Sequence, residues 1–200
     1  MGSGEPRAAE PPVIEFRDAA AFEAWLEEHA HERAGVWLKL AKKGSGVPSL
    51  TDAEAVDVGL CFGWISGQRK ALDDVDYLQK YVPRRPRSRW SRVNVEKVEQ
   101  LLAAGRMRPS GLAEVQAAKA DGRWDAAYEP QRSATVPHDL AAALAKCPKA
   151  ARTFEALGKT RKYAVILGVI TARHAEARAA RIRRAVAELE ARADSRSAAT

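Results

Sequence analysis

The chain has 200 residues, 46% hydrophobic and 30% charged, with a formal net charge of +7 and a pI near 9.6. That length and balance place it with ordinary globular proteins, as one sizeable domain or two small ones with a packed core. No apolar run reaches the length of a membrane-spanning helix and "MGSGEPRAAEPP" lacks the apolar stretch of a signal peptide, which points to a cytoplasmic protein with no membrane span.

The positive balance favours an anionic ligand or partner, although an Arg- and Ala-rich composition also follows from a GC-rich genome. Pro6 stands where a myristoylation signal needs Ser or Thr, so Gly2 reads as part of a flexible start. Cys61 and Cys147 form no CxxC pair, sit in apolar helical patterns and read as buried thiols in a reducing compartment. His29 and His31 lack further ligands at metal spacing, and neither a metal nor a cofactor is expected.

Asp18 is a candidate N-cap for a helix that repeats Ala19, Phe22, Leu26 and Ala30 at helical spacing. "GVWLKLAKK" alternates Val36, Leu38 and Leu40 with Trp37, Lys39 and Lys42, a strand with one wetter face, and "GSGVPS" ends it. Thr51 and Glu54 form a capping box at the start of a second helix, with Val56, Leu60 and Trp64 as its buried stripe. Capping accounts for Asp52 and Glu54, so neither is read as a catalytic carboxylate.

"WISGQRKALDD" reads as a strand or hairpin edge with a bulge at Gly67 and an acidic turn at Asp73, Asp74 and Asp76. "YLQKYVP" is the returning strand. Ser91 is the candidate N-cap of a helix carrying Val95, Val98, Leu101 and Leu102, which Gly105 ends. A further short helix runs from Pro109 towards Gly122, and "RWDAAYEPQRSATVP" is a connection.

Beyond Pro137 the pattern is helical. "RKYAVILGVITA", apolar on most sides, is expected at the centre of the C-terminal packing, with a strand as the alternative. The last helix carries Ile182, Val186 and Leu189 on one face, and its arginines, Arg178, Arg181, Arg183, Arg184 and Arg192, are expected in solvent.

The fold class expected is α+β, a small N-terminal sheet with flanking helices followed by a helical C-terminal region. The organisation expected is a disordered start over 1–14, an α+β domain over 15–122, a connection over 123–136, the helical region over 137–193 and a frayed tail over 194–200.

The segment "YVPRRPRSRWSRVN" is the principal candidate site. Its prolines imply a stiff extended arm, with Arg85, Arg87 and Arg89 on one side at about 6.6 Å intervals, or Arg84, Arg87 and Trp90 aligned in polyproline geometry. Ser91 and Asn94 would add the N–H groups and amide of a helix start, completing an anion or ligand site. The alternative is a structural clamp in which these arginines pair with Asp73, Asp74 and Asp76 or with "DGRWD".

An enzymatic alternative gathers Trp64, Asp73, Arg123, Trp124 and Asp125 around a pocket, and a nucleic-acid alternative stacks Trp90 or Trp124 on a base. Sequence motifs assign no catalytic residue, and a non-enzymatic reading is preferred. The sequence leaves the oligomeric state open.

"EAVDVGLCFGWISGQRKALDD", "YVPRRPRSRWSRVN", "AAGRMRPSGLAEVQAAKADGRWDAAY" and "VPHDLAAAL" through "EARAARIRRAVAEL" together resemble the YdeI/OmpD-associated, or bacteriocin-protection, family. The resemblance runs from Phe16 to Leu189. It implies a stress or envelope-protection role and no defined catalytic residues. Ser66 stands where the family usually has Asp, and "AEAR" at Ala175–Arg178 replaces a more usual "ETR".

Overall fold

A computed structural model describes residues 10–172 and 174–197, so the first nine residues of the expected start and the last three of the expected tail lie outside the described residues. The fold is α+β, with a four-stranded sheet in the N-terminal half and helices beyond it. Two compact units are formed, residues 10–90 with Asn94–Ala127, and Ser91–Val93 with residues 128–197.

The first unit contains β1 (Val13–Glu15), α1 (Ala19–His29), β2 (Val36–Ala41), α2 (Asp52–Cys61), β3 (Trp64–Ala71), β4 (Asp76–Pro83), most of α3 (Arg92–Ala103) and α4 (Pro109–Ala120). The strand order is β1-β2-β4-β3, with β1 parallel to β2 and the other pairs antiparallel. β1 lies partly within the expected disordered start. Three residues carry no readable period, and pairing Val13 with Trp37 and Ile14 with Leu38 makes them a strand.

Local signals set the helix ends. Asp18 accepts from the Ala21 N–H, and Thr51 and Glu54 exchange both capping-box bonds. α3 closes with Gly105 at φ +66°, the Gly105 N–H donating to Leu102 and the Arg106 N–H to Leu101. That is the double bond of a Schellman ending, which glycine favours.

Val36, Leu38, Leu40, Trp64 and Tyr81 point to one side of the sheet, where they share a core with Phe22 and Leu26 of α1, Val58 of α2, Val98 of α3 and Val115 of α4. All four helices therefore cover the same face. Gln79, only 3% exposed, also points inward, and its amide donates to the carbonyls of Gly67 and Gln68. The register shifts between Ser66 and Arg69, so this side chain satisfies carbonyls that the bulge takes out of the ladder. Arg69 donates from Nε to Gln79 Oε1, pairs with Asp52 at 2.7 Å and lies over the Tyr77 ring.

The second unit contains α5 (His138–Ala145), α6 (Pro148–Glu155), α7 (Lys159–Ile170) and α8 (Ala175–Ser197). Leu140, Leu144, Phe154, Ile166, Val169, Ile182 and Leu189 form its core. The apolar run expected at the centre is helical, yet only Ile166 and Val169 of α7 are fully buried. The organising element is α8, about 34 Å long at 1.5 Å per residue, which packs against α5, α6 and α7.

Two of the arginines expected in solvent tie α8 to other helices, while Arg184 pairs with Glu188 along α8 itself at 2.8 Å. Arg178 grips Asp139 with Nε at 2.6 Å and Nη2 at 2.9 Å, and Arg181 donates to the Gly168 carbonyl at the end of α7. α8 continues to Ser197, into the expected tail.

Candidate functional site

β4 delivers the arginine-proline segment from the sheet, and the chain then folds back. The Arg84 N–H donates to the Gly63 carbonyl at 2.9 Å, the Ser88 N–H donates to the Arg85 carbonyl at 2.8 Å, and the Arg85 N–H donates to Ser88 Oγ at 2.9 Å. This is a β-turn with Pro86 and Arg87 at its centre, where proline presets the backbone angle. The straight arm expected from sequence, in either extended or polyproline form, is therefore corrected. Pro86 is a turn former here because Ser88 supplies the closing hydroxyl.

The turn sits on an aromatic base. Arg84 is 5% exposed, its guanidinium lies 3.5 Å from the centre of the Trp90 ring, and its Nη1 donates to the Arg89 carbonyl at 3.1 Å. Trp90, 1% exposed, packs against Trp124 with ring centres 4.9 Å apart. Arg123 ties the turn from outside by donating from Nη1 to the Ser88 carbonyl at 2.9 Å while its Nε holds Asp121.

Arg84 is thus a packed residue, whereas Arg85, Arg87 and Arg89 are exposed and make no ion pair with a described residue. Because a β-turn brings its ends within about 7 Å, these three guanidinium groups emerge from one small patch. The expected clamp of arginines on Asp73, Asp74 and Asp76 is replaced by other bonds. Asp73 accepts from the N–H groups of Val75 and Asp76, which hold its carboxyl below the usual carboxylate range, and Asp76 pairs with Lys39.

Ser91 immediately precedes α3 and bridges to Tyr128, whose carbonyl accepts from the Arg92 N–H at 2.9 Å. One first-turn N–H expected to face an anion is therefore bonded within the protein. Asn94 lies in the first turn of α3, and Arg92 pairs with Glu129 at 3.7 Å.

The five residues of the enzymatic alternative are not gathered around one cavity. Trp64 is buried at the start of β3 and donates to the Ala30 carbonyl, while Asp73 stands past the other end of that strand, about 23 Å along eight residues. Arg123, Trp124 and Asp125 lie on the turn after α4, Trp124 buried and Asp125 exposed. Trp90 and Trp124 both belong to the core cluster and pack against each other, so neither offers the stacking surface that the nucleic-acid alternative assigned to it.

A cavity of about 410 Å³ opens beside the β2–α2 loop, lined by Lys43, Gly44, Gly46, Thr51, Asp52 and Tyr77 among others, none of them anticipated as site residues. Among the described residues, no three His, Cys, Asp or Glu side chains stand together as metal ligands would, and no helix is long and apolar enough to cross a membrane.

Sequence reasoning missed the other cationic feature. Lys70 and Lys80 place their ammonium groups 4.5 and 5.7 Å from the centre of the Trp37 ring, on the sheet face opposite the core. The alternation of Trp37 and Lys39 with Val36 and Leu38 marked that face as wetter but could not show which lysines would cross to it.

Residues 133–192 match the family described as Bacteriocin-protection, YdeI or OmpD-Associated. That match covers 60 residues, all of them in the second unit. Residues 14–114, just over half of the chain, match a second family, Domain of unknown function (DUF8412), and the chain belongs to that family. The resemblance expected to run from Phe16 is thus carried by the helical second unit. The arginine turn lies in the part that matches DUF8412 and outside the YdeI/OmpD-associated match. No curated protein and no solved structure matches the chain.

Proposed function

We propose that this protein is a cytosolic, non-enzymatic binding protein that takes an anionic ligand on the Arg85–Arg89 segment, in a stress or envelope-protection role, a reading supported by the Bacteriocin-protection description that residues 133–192 match. The observation that carries the reading is the trio of exposed guanidinium groups without a carboxylate partner among the described residues, on a turn held by Ser88, Arg123 and the Arg84–Trp90 stack. Guanidinium forks match phosphate and carboxylate oxygens in pairs, and a fixed turn lowers the ordering cost of binding. The unbridged thiols of Cys61 and Cys147 support a reducing compartment.

Calorimetric titration with inorganic pyrophosphate tests it. The wild-type chain binds, and a triple Arg85→Gln, Arg87→Gln, Arg89→Gln variant of unchanged circular dichroism loses binding at least tenfold. Equal affinity in the two proteins, or no heat in either, overturns the reading.

A further inference from the structure

We infer that the face of the sheet opposite its core is a platform for single-stranded nucleic acid, with Trp37 as the stacking residue and Lys70 and Lys80 as phosphate contacts. The inference rests on the anion-binding reading of the Arg85–Arg89 turn and names the class of its ligand.

Three observations carry it. The buried side chains of α1 to α4 share one core with the inward residues of the sheet, so the opposite face carries no helix of this unit among the described residues. On that face Trp37 is only 8% exposed although it stands outside the core; it pairs across the ladder with Lys80, and its ring is covered by the two lysine ammonium groups. Long lysine stems can swing aside, so the arrangement hides an aromatic face beneath groups that a phosphate would draw away.

The cations on this face that are free to meet a polyanion are the two gathered at Trp37. Lys39 lies between Glu15 at 2.9 Å and Asp76 at 3.1 Å, and these bonds push its pKa up to about 12, so its charge is spent inside a trio that carries one net negative charge. Lys70 and Lys80 make no ion pair with a described residue. Their attraction is left for a ligand.

Lys80 also lies on the strand that leads into the arginine turn. Five residues separate it from Arg85, a span of at most about 17 Å, so one strand of a few nucleotides could meet both. An indole between cations supplies base stacking together with phosphate contacts, the pairing used by proteins that hold single strands without reading sequence. A lipid headgroup or an acidic peptide would use only the charge.

The test is fluorescence anisotropy of the full chain with a fluorescein-labelled single-stranded oligothymidylate over a range of salt. Single-strand binding weakens with salt at a log–log slope of about −0.7 per phosphate contact, so Lys70→Gln with Lys80→Gln should reduce the slope by about 1.4. Trp37→Leu should weaken binding by about tenfold at fixed salt and leave the slope unchanged, with Trp37→Phe restoring most of the loss.

A protein that binds pyrophosphate at the turn but not the oligonucleotide overturns this inference and leaves the proposed function standing. An unchanged slope in the lysine variant does the same, as does binding to phosphatidylserine vesicles that depends on Lys70 and Lys80 while the oligonucleotide is ignored. Loss of pyrophosphate binding as well removes both readings.

Discussion

Replacing Trp90 by alanine removes the base on which the arginine turn stands. Trp90 is 1% exposed, with Arg84 3.5 Å above its ring and the Trp124 ring centre 4.9 Å away. Truncation therefore empties almost a whole indole site and strips Arg84 of its π face; large-to-small changes of this kind cost about 3–5 kcal/mol. For a unit of this size, about 4 kcal/mol corresponds to a fall of roughly 15 °C in the unfolding midpoint.

The assay is unusually direct, because all five tryptophans, Trp25, Trp37, Trp64, Trp90 and Trp124, lie in the first unit. Tryptophan fluorescence during thermal or guanidinium unfolding therefore follows that unit, and four reporters remain in the variant. Trp90→Phe keeps a ring beneath Arg84 and should lose less than half as much. A loss below about 1 kcal/mol for Trp90→Ala would refute the view that the buried stack fixes the turn.

Two glycines should respond in opposite directions to alanine. A Cβ on Gly111 would sit 2.1 Å from the Cys61 carbonyl oxygen, where backbone meets backbone and neither can yield cheaply. Gly111→Ala should cost about 3 kcal/mol by tryptophan fluorescence, whereas Gly168→Ala, with nothing within 4 Å of its Cβ inside α7, should gain about 0.5–1 kcal/mol by circular dichroism. Two effects of the same sign would contradict this packing.

The pair of Asp139 and Arg178 sets a pH dependence. Arg178 holds the Asp139 carboxyl below its ordinary range, so the pair stabilises the fold above the unfolded aspartate value near 4, and that contribution fades as pH falls through the lower folded value. Arg178→Gln should be less stable than wild type at neutral pH, and their melting temperatures should converge in acid. A gap that persists undiminished at the acid end would show that the pair does not carry it.

Much of the fold was legible because it depends on neighbours in sequence. Asp18, Thr51 with Glu54, Pro109 and Gly105 act within one helical turn of themselves, and each marks its boundary where the local rule puts it. Strand β2 was readable from its alternation. Long-range choices were not legible: Gln79 looks like any polar residue of a hairpin, yet its role follows from a bulge twelve positions earlier. Trp37 likewise gave no sign that lysines from two other strands would cover it, since that pairing depends on register across β3 and β4.

The arginine segment shows why composition alone misjudges a site. Arg84 and Arg85 are adjacent and chemically identical; strand-like spacing set Arg85, Arg87 and Arg89 together on one side, but nothing local showed that Arg84 would be buried. Their fates diverge because the Arg85–Ser88 turn brings Trp90 back over residue 84 and leaves residues 85, 87 and 89 outside. A buried guanidinium must replace lost hydration, and Arg84 does so with an indole face and a carbonyl, interactions worth most where water is excluded.

The exposed arginines gain nothing comparable from the fold. Keeping three like charges on and just beyond one turn costs electrostatic energy that a bound anion would relieve. The same four-residue turn thus creates both a stabilising stack and an unbalanced cationic patch, so lengthening the turn would damage both together. That coupling separates a built anion site from a run of basic residues that merely face water.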